Sequence, residues 1–369
     1  MVRRCALLSI LLLMSVWVPA SVPEVAMDPA LVLESIPEDS EEFLRWPGDV
    51  AIDENGRIMV LDLTSNTIFA WDGKGKYLGR FGKMGQGPGE FNFRGNVGGS
   101  HGYISPVGSD IFIYAGGNKT VSVFDGDLAF KSVRPFQITS GRTELFRVLN
   151  DGTYLIFSSS YFADTPSRTV GTYTQDGALI KEFRQVPDET WHYSSENGQR
   201  RVVLHPYASS LYMAYNEVKN QVIVGDTAKP SFDILSPDGK TLKTVAFNLV
   251  RKDVTDEDKK EFEEQNWFKN QSFFKVEFPD KKAVYNKVLA FGSEGYLVFL
   301  ESVNFRIVDG VFIDAKGNIK GKLNMQCGER GGLFGSRERI IAVTVNEDEE
   351  FMVQEMKPRI GKGEGFGGR

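Results

Sequence analysis

One hairpin recurs five times along the chain and limits the fold more than any other feature. It reads "TIFAWDGKGKYLGRF" from Thr67, "TVSVFDGDLAFKSVRPF" from Thr120, "TVGTYTQDGALIKEF" from Thr169, "SFDILSPDGKTLKTVAF" from Ser231 and "GVFIDAKGNIKGKL" from Gly310. Each copy is a strand-length run, a polar turn with glycine and a second strand. Around the first copy two more strands are legible. Val50 and Ile52 alternate with polar neighbours, Glu54-Asn55-Gly56 turns the chain, and Ile58 to Asp62 runs back. Four short strands joined by turns make one antiparallel sheet. The turn glycines Gly126, Gly177, Gly239 and Gly317 lie 51, 62 and 78 residues apart, and Gly75 lies 51 before Gly126 if that turn slips by one. Four strands at a period of about 40 to 50 residues are the signature of propeller blades. The two longer spacings predict insertions around residues 187–206 and 251–275.

Five hairpins and a partial unit make six blades. "RIIAVTVNEDEEFMVQEMKPRI", from Arg339, supplies further strands of the last blade, and "ALVLESIP", residues 30–37, supplies the missing one from the other end of the chain. Closing the last blade with the N-terminal strand removes two exposed sheet edges. The expected fold is therefore all-β, a six-bladed β-propeller of four-stranded antiparallel blades over residues 30–360. One helical insertion is expected near residues 253–271, where Thr255 and Asp258 form a capping box ahead of a run of helix formers. "GRFGKMGQGPGEFN", residues 79–92, suggests a phosphate loop by its glycines. It lacks the Lys-Ser/Thr pair and the following helix, and Glu90 would repel a phosphate. It is expected to turn the chain from blade 1 to blade 2, with "QCGERGGLFGS", residues 326–336, as its degenerate copy before the last blade.

The 369 residues include 27 Phe but three His, and the net charge is −6. No polybasic run occurs, which argues against a nucleic-acid partner. Residues 1–20 read as an export signal: Arg3 and Arg4, the apolar run Ala6 to Val18, then small residues for cleavage near Ala20. That run is short for a membrane span. The mature chain is expected to be secreted or periplasmic, with no transmembrane segment. Cleavage leaves Cys327 as the one cysteine, so no intrachain disulfide can form. The Gly-rich end, residues 361–369, is expected to be a flexible tail.

The stretch "WPGDVAIDENGRIMVLDLTSNTIFAWDGKGKYLGRFGKMGQGPGEF", residues 46–91, resembles the repeat of the NHL-type six-bladed propellers, and most of all their exported bacterial branch. One blade carries the close match; the others follow by strand pattern. The resemblance implies the fold but leaves the activity open, because its relatives span enzymes and binding scaffolds.

Propellers place ligands at the central tunnel, on residues that open each inner strand. Aligning the blades puts Gly48, His101, Glu144, Tyr212 and Lys287 there. "HGYIS", residues 101–105, resembles the metal-binding strand of NHL-type peptidyl-hydroxyglycine lyases, which implies zinc on three histidines from three blades. The matching positions of the other blades are not histidine. A lactonase-like calcium site would draw on Glu144, Asn286 and Asp49. Zn or Ca would make the protein a metal-dependent hydrolase or lyase. No Gly-x-Ser-x-Gly elbow occurs. Asp62 and Asp226 recur after the second strand of their blades, which points to a structural role. Away from the tunnel, Tyr161, Phe162, Trp191, His192, Tyr193, His205 and Tyr207 cluster in loops of blades 3 and 4 and suggest an aromatic recognition surface. The leading expectation is a non-enzymatic exported module that binds a protein, peptide or carbohydrate.

Overall fold

The computed structural model describes residues 22–37, 43–94, 101–138, 141–160, 166–196, 199–264, 274–293, 295–301, 307–328, 330–346 and 349–360. The export signal, the Gly-rich end, Tyr161 and Phe162 lie outside the described residues.

The recurring hairpins build a six-bladed β-propeller of four-stranded antiparallel sheets. Blade 1 runs Pro47–Ile52, Ile58–Asp62, Thr67–Trp71 and Tyr77–Phe81 from the axis outwards. The inner strands of blades 2 to 6 are Gly102–Val107, Arg142–Val148, Leu211–Asn216, Lys287–Phe291 and Gly332–Ser336. The second and third strands of blade 1 are buried throughout, whereas outer strands such as Leu179–Pro187 and Thr241–Ala246 are largely exposed. Apolar side chains therefore pack sideways, between blades. Six clusters do this, each shared by two neighbours: Leu61 with Ile104, Tyr114 with Phe146, Leu155 with Met213, Ile223 with Val298, Phe312 with Leu333, and Val343 with Val60. The last of these joins blade 6 to blade 1 and completes the ring.

The N-terminal strand closes blade 6, but five residues earlier than the sequence suggests. It is Val25–Val32, paired antiparallel to Phe351–Ile360 from Val25 opposite Ile360 to Val32 opposite Gln354. Leu33 and Ile36 leave the sheet and pack with Trp71 of blade 1. There the Trp71 indole donates to the Glu34 carbonyl at 2.8 Å, and the Tyr77 amide donates to the Glu34 carboxylate at 2.8 Å. The segment thus fastens the last blade to the first.

The turn register of blade 2 also needs correcting. Gly75, Gly177, Gly239 and Gly317 take positive φ, but in blade 2 that position is Leu128 (φ 64), not Gly126. The reason is the residue that opens each turn. Asp72, Asp125 and Asp314 accept backbone N–H groups two and four residues on, and Thr174 and Ser236 accept the later one with their hydroxyls. Counting from that acceptor aligns Leu128 with the glycines, so one blade bears a left-handed leucine.

The glycine-rich stretch is the blade 1 to blade 2 crossing. Its anion is internal: the Glu90 carboxylate accepts from the Gly87 amide at 2.8 Å and pairs with Lys83 at 3.2 Å. A Cβ at Gly85 would meet that carboxylate at 2.0 Å, which explains the glycine.

The two insertions join into one accessory unit. Trp191–Glu196 and Gln199–Leu204 form a hairpin from the first, and Phe274–Val276 from the second adds a parallel strand. The helix Asp256–Glu263 starts at Thr255, with both halves of the capping box present. Its one buried residue, Phe262, packs with Tyr207, and its ring meets Phe278 edge-on at 5.9 Å.

Candidate functional site

The tunnel is crossed by its own charges. Asp49 of blade 1 and Arg147 of blade 3 form a two-pronged ion pair, both contacts at 3.0 Å, and the Ile104 amide donates to the same carboxylate at 2.9 Å. From the other side Glu217, just beyond the inner strand of blade 4, accepts from the Arg337 amide of blade 6 at 3.0 Å and from the Ser336 hydroxyl at 3.3 Å. Bonds between blades that are not neighbours must span the axis. Burial raises the Glu217 pKa, and Arg147 opposes that shift. Lys287 donates to the Leu333 carbonyl at 2.8 Å, with its ammonium 5.3 Å from the Phe299 ring and 5.2 Å from the Phe334 ring. Burial pushes its pKa down to about 8; Asp49 pulls upwards and Arg147 adds to the fall. Tyr212 donates to the Val288 carbonyl at 2.8 Å, and Tyr103 to the Glu144 carbonyl.

These donors do not fit zinc or calcium. His101 faces Arg142, whose Nη2 lies 3.4 Å from Nδ1. Arginine only donates, so Nδ1 holds the lone pair and Nε2 the proton. That Nε2 is buried without a hydrogen-bond partner among the described residues. Burial, helped by Arg142, lowers the His101 pKa to about 4. In this tautomer the ring's one lone pair is turned to a cation. Glu144 accepts from the Ser159 hydroxyl at 2.6 Å and lies 3.6 Å from Arg142. Asn286 is exposed and points its amide at the Leu300 carbonyl, 3.4 Å away, beside Glu301 rather than the tunnel charges. Among the described residues no group of three or more His, Cys, Asp or Glu could hold a metal. Cys327 is buried, its pKa pushed up to about 11, and a thiol held protonated is a poor nucleophile. Asp62 is structural: it accepts the amides of Arg45, Trp46, Thr64 and Ser65.

Two concave surfaces lie at the accessory unit. One cleft, of about 270 Å³, is lined by Tyr207, Asp258, Glu261, Lys282, Glu301 and Asp309. Burial raises the Glu301 pKa to about 7, against the pull of Lys282 and of a hydrogen bond from Asn286. Lys282 reaches Asp258 at 2.5 Å and lies 5.0 Å from the Tyr207 ring. A second cleft, of about 330 Å³, is lined by Glu189, His192, His205, Ser209 and Arg251. There the two imidazoles stack with ring centres 5.1 Å apart, and His192 Nδ1 lies 3.0 Å from His205 Nε2.

The predicted aromatic surface is thus partly a cleft wall. Trp191 and Tyr193 meet edge-on at 5.3 Å on the accessory hairpin. Tyr207, expected at the surface, is buried and donates to the Asp258 carbonyl at 2.8 Å. The structure brings Asp49 and Lys287 together at the axis, and His192 with His205 at the rim. Arg142, Arg147, Glu217 and Glu301 are site residues that the sequence expectations do not include. Arg147 had a signal in the alternation of its strand, whereas Glu301 follows a strand end with no repeat to mark it.

Residues 41–169 match the model of a protein family described as a 6-bladed beta-propeller. No curated protein matches the chain. Among solved structures, an exported protein from Bacteroides fragilis superposes with TM-score 0.52 at 14% identity, over 93% of this chain and 98% of its own. A Bacteroides vulgatus protein of the duf4221 family gives TM-score 0.50 at 12% identity, over 92% and 100%. The virginiamycin B lyase of Staphylococcus aureus gives 0.47 at 8%, over 90% and 99%. At such identities the first two likenesses show the fold alone, and with the family match and the six four-stranded sheets the chain is a six-bladed β-propeller.

Proposed function

We propose that this protein is an exported, NHL-like propeller that binds a protein, peptide or carbohydrate at the accessory rim and performs no chemistry at the tunnel. The observation that carries the reading is the contrast in polar groups: Asp49 and Arg147 are paired across the axis and Glu217 is held by blade 6, while both clefts open where the insertions meet the ring. Asp49 and Arg147, paired with each other, are not free to meet a substrate. Export is supported by residues 1–20 and by the exported structural relative. Among the described residues no helix is long and apolar enough to cross a membrane.

The test is binding of the mature chain to glycan and peptide arrays, compared with Ala208→Trp, which fills the larger cleft, and His101→Gln, which alters the tunnel. Binding should be lost in the first variant and kept in the second. Loss in His101→Gln with retention in Ala208→Trp would move the site to the tunnel and overturn the reading.

A further inference from the structure

We propose that the cleft of about 330 Å³ binds a carbohydrate, one hydroxyl of which donates to Nε2 of His192. The inference rests on the accessory rim being the ligand site, and it begins with a proton count. His205 Nδ1 lies 3.1 Å from the Glu277 carbonyl, which can only accept, so that nitrogen carries the hydrogen. In neutral His205 the other nitrogen, Nε2, then holds a lone pair. His192 Nδ1, 3.0 Å away, must donate to it. The chain of bonds leaves Nε2 of His192 as an acceptor whose tautomer is set by a partner two bonds away.

The remaining walls select among ligands. Glu189 is an acceptor whose carboxylate takes the Ser209 hydroxyl at 3.1 Å. Arg251 is a donor, its guanidinium held in place by the carbonyls of Lys282 at 2.9 Å and Lys281 at 3.1 Å. Asp188 is turned away, with one oxygen on Arg168 at 2.9 Å and the other on Thr190. The cleft therefore offers fixed acceptors beside a fixed donor. An ammonium ligand only donates and would face Arg251. A carboxylate or phosphate only accepts and would face Glu189 and the imidazole lone pair. Hydroxyls do both, and vicinal hydroxyls do so at the spacing of neighbouring side chains. The volume is at the small end for ligand sites and suits a mono- or disaccharide unit.

Nitrogen-15 NMR of the histidine rings in the whole mature chain tests this directly. At neutral pH His192 should show the Nδ1–H tautomer, and its Nε2 signal should shift saturably with at least one of glucose, galactose, mannose, N-acetylglucosamine, maltose or cellobiose. Butylammonium and acetate should leave it unmoved. His192→Phe should weaken binding of the responding sugar by about tenfold, the worth of one hydrogen bond, and His205→Leu, which removes the acceptor of the His192 Nδ1–H, should weaken it while changing the His192 tautomer. Should either variant fail to fold, the wild-type spectra decide alone. An Nε2–H tautomer at His192, a response to the charged probes only, or no shift with any sugar overturns the proposal. If the arrays place ligands at the rim and these signals do not move, this inference fails and the rim reading stands.

Discussion

Asp49 in the tunnel and Glu301 beneath the accessory helix are both carboxylates drawn out of water, and their surroundings treat them oppositely. Asp49 is answered by two guanidinium nitrogens from blade 3, across the axis, and an amide from blade 2. Glu301 sits in a cleft wall with its pKa raised to about 7, because burial outweighs Lys282. The difference follows from how each region is built. A ring of repeats fixes six inner strands at one spacing, so polar groups at the axis meet partners at set positions. Insertions have no repeat to match, and where they meet the ring they leave concave, incompletely matched surfaces.

Removing the element that closes the ring should break the first half of this comparison most severely. Deleting residues 22–37 leaves the Phe351–Ile360 strand without its neighbour and uncovers Trp71 and Val353. At roughly 25 cal/mol per Å² of apolar surface the loss is several kcal/mol, out of a total of about 5 to 15 kcal/mol. The truncated chain should melt far lower and aggregate through the open edge. An unchanged melting temperature would mean that the strand does not hold the ring.

The tunnel pair comes next. Asp49→Ala strands a buried guanidinium and should cost about 3 to 5 kcal/mol in denaturant unfolding. Asp49→Leu combined with Arg147→Met removes both charges and should recover most of that loss. If the double variant is no better than the single, the pair is not a self-contained unit and the tunnel charges answer something else.

How much of this was legible in the sequence follows the same division. The blades are readable because five of them repeat a turn opened by Asp, Thr or Ser and closed by a left-handed residue. Leu128 misled the register because a leucine gives no sign of positive φ. Asp49, His101, Glu144 and Lys287 were found by register, but register places residues and does not pair them. Asp49 and Arg147 are 98 residues apart, and their bond depends on the curvature of the ring. His192 and His205 were noted as aromatics. Their hydrogen bond depends on the accessory hairpin, whose polar alternation resembles that of any edge strand.

The accessory unit should yield without the ring. Phe262 is the one buried residue of an eight-residue helix, too short to persist without packing. Phe262→Ala should release it, at a local cost of about 3 kcal/mol. Hydrogen exchange would show protection lost over residues 256–263 while the blade strands stay protected and the main melting transition moves by less than about 2 °C. A drop in the main transition comparable with that of Asp49→Ala would make the accessory unit part of the ring's own cooperative core.

The smallest effect compares one buried charge from each region, an acid at the rim and a base at the tunnel. Glu301 has a folded pKa of about 7, above its ordinary 4.5, so between those values the folded chain keeps a proton that the unfolded chain releases. Stability from this group therefore falls as pH rises through that window, by at most about 1.4 kcal/mol per pH unit. Lys287 is displaced the other way, from 10.5 to about 8, so between those values the unfolded chain holds a proton that the folded chain lacks. Its contribution to stability rises with pH there. His101, lowered from 6.5 to about 4, also adds a rise with pH at the acid end, but it is common to all the proteins compared and cancels in differences. Denaturant unfolding of the wild type, Glu301→Gln and Lys287→Met between pH 4 and 10.5 isolates each slope. The Glu301→Gln difference curve should change between about 4.5 and 7, and the Lys287→Met curve between about 8 and 10.5, in the opposite direction. Opposite slopes show an acid and a base each desolvated by the fold, and a flat difference curve for either variant would show that its charge is not buried at the cost inferred for it.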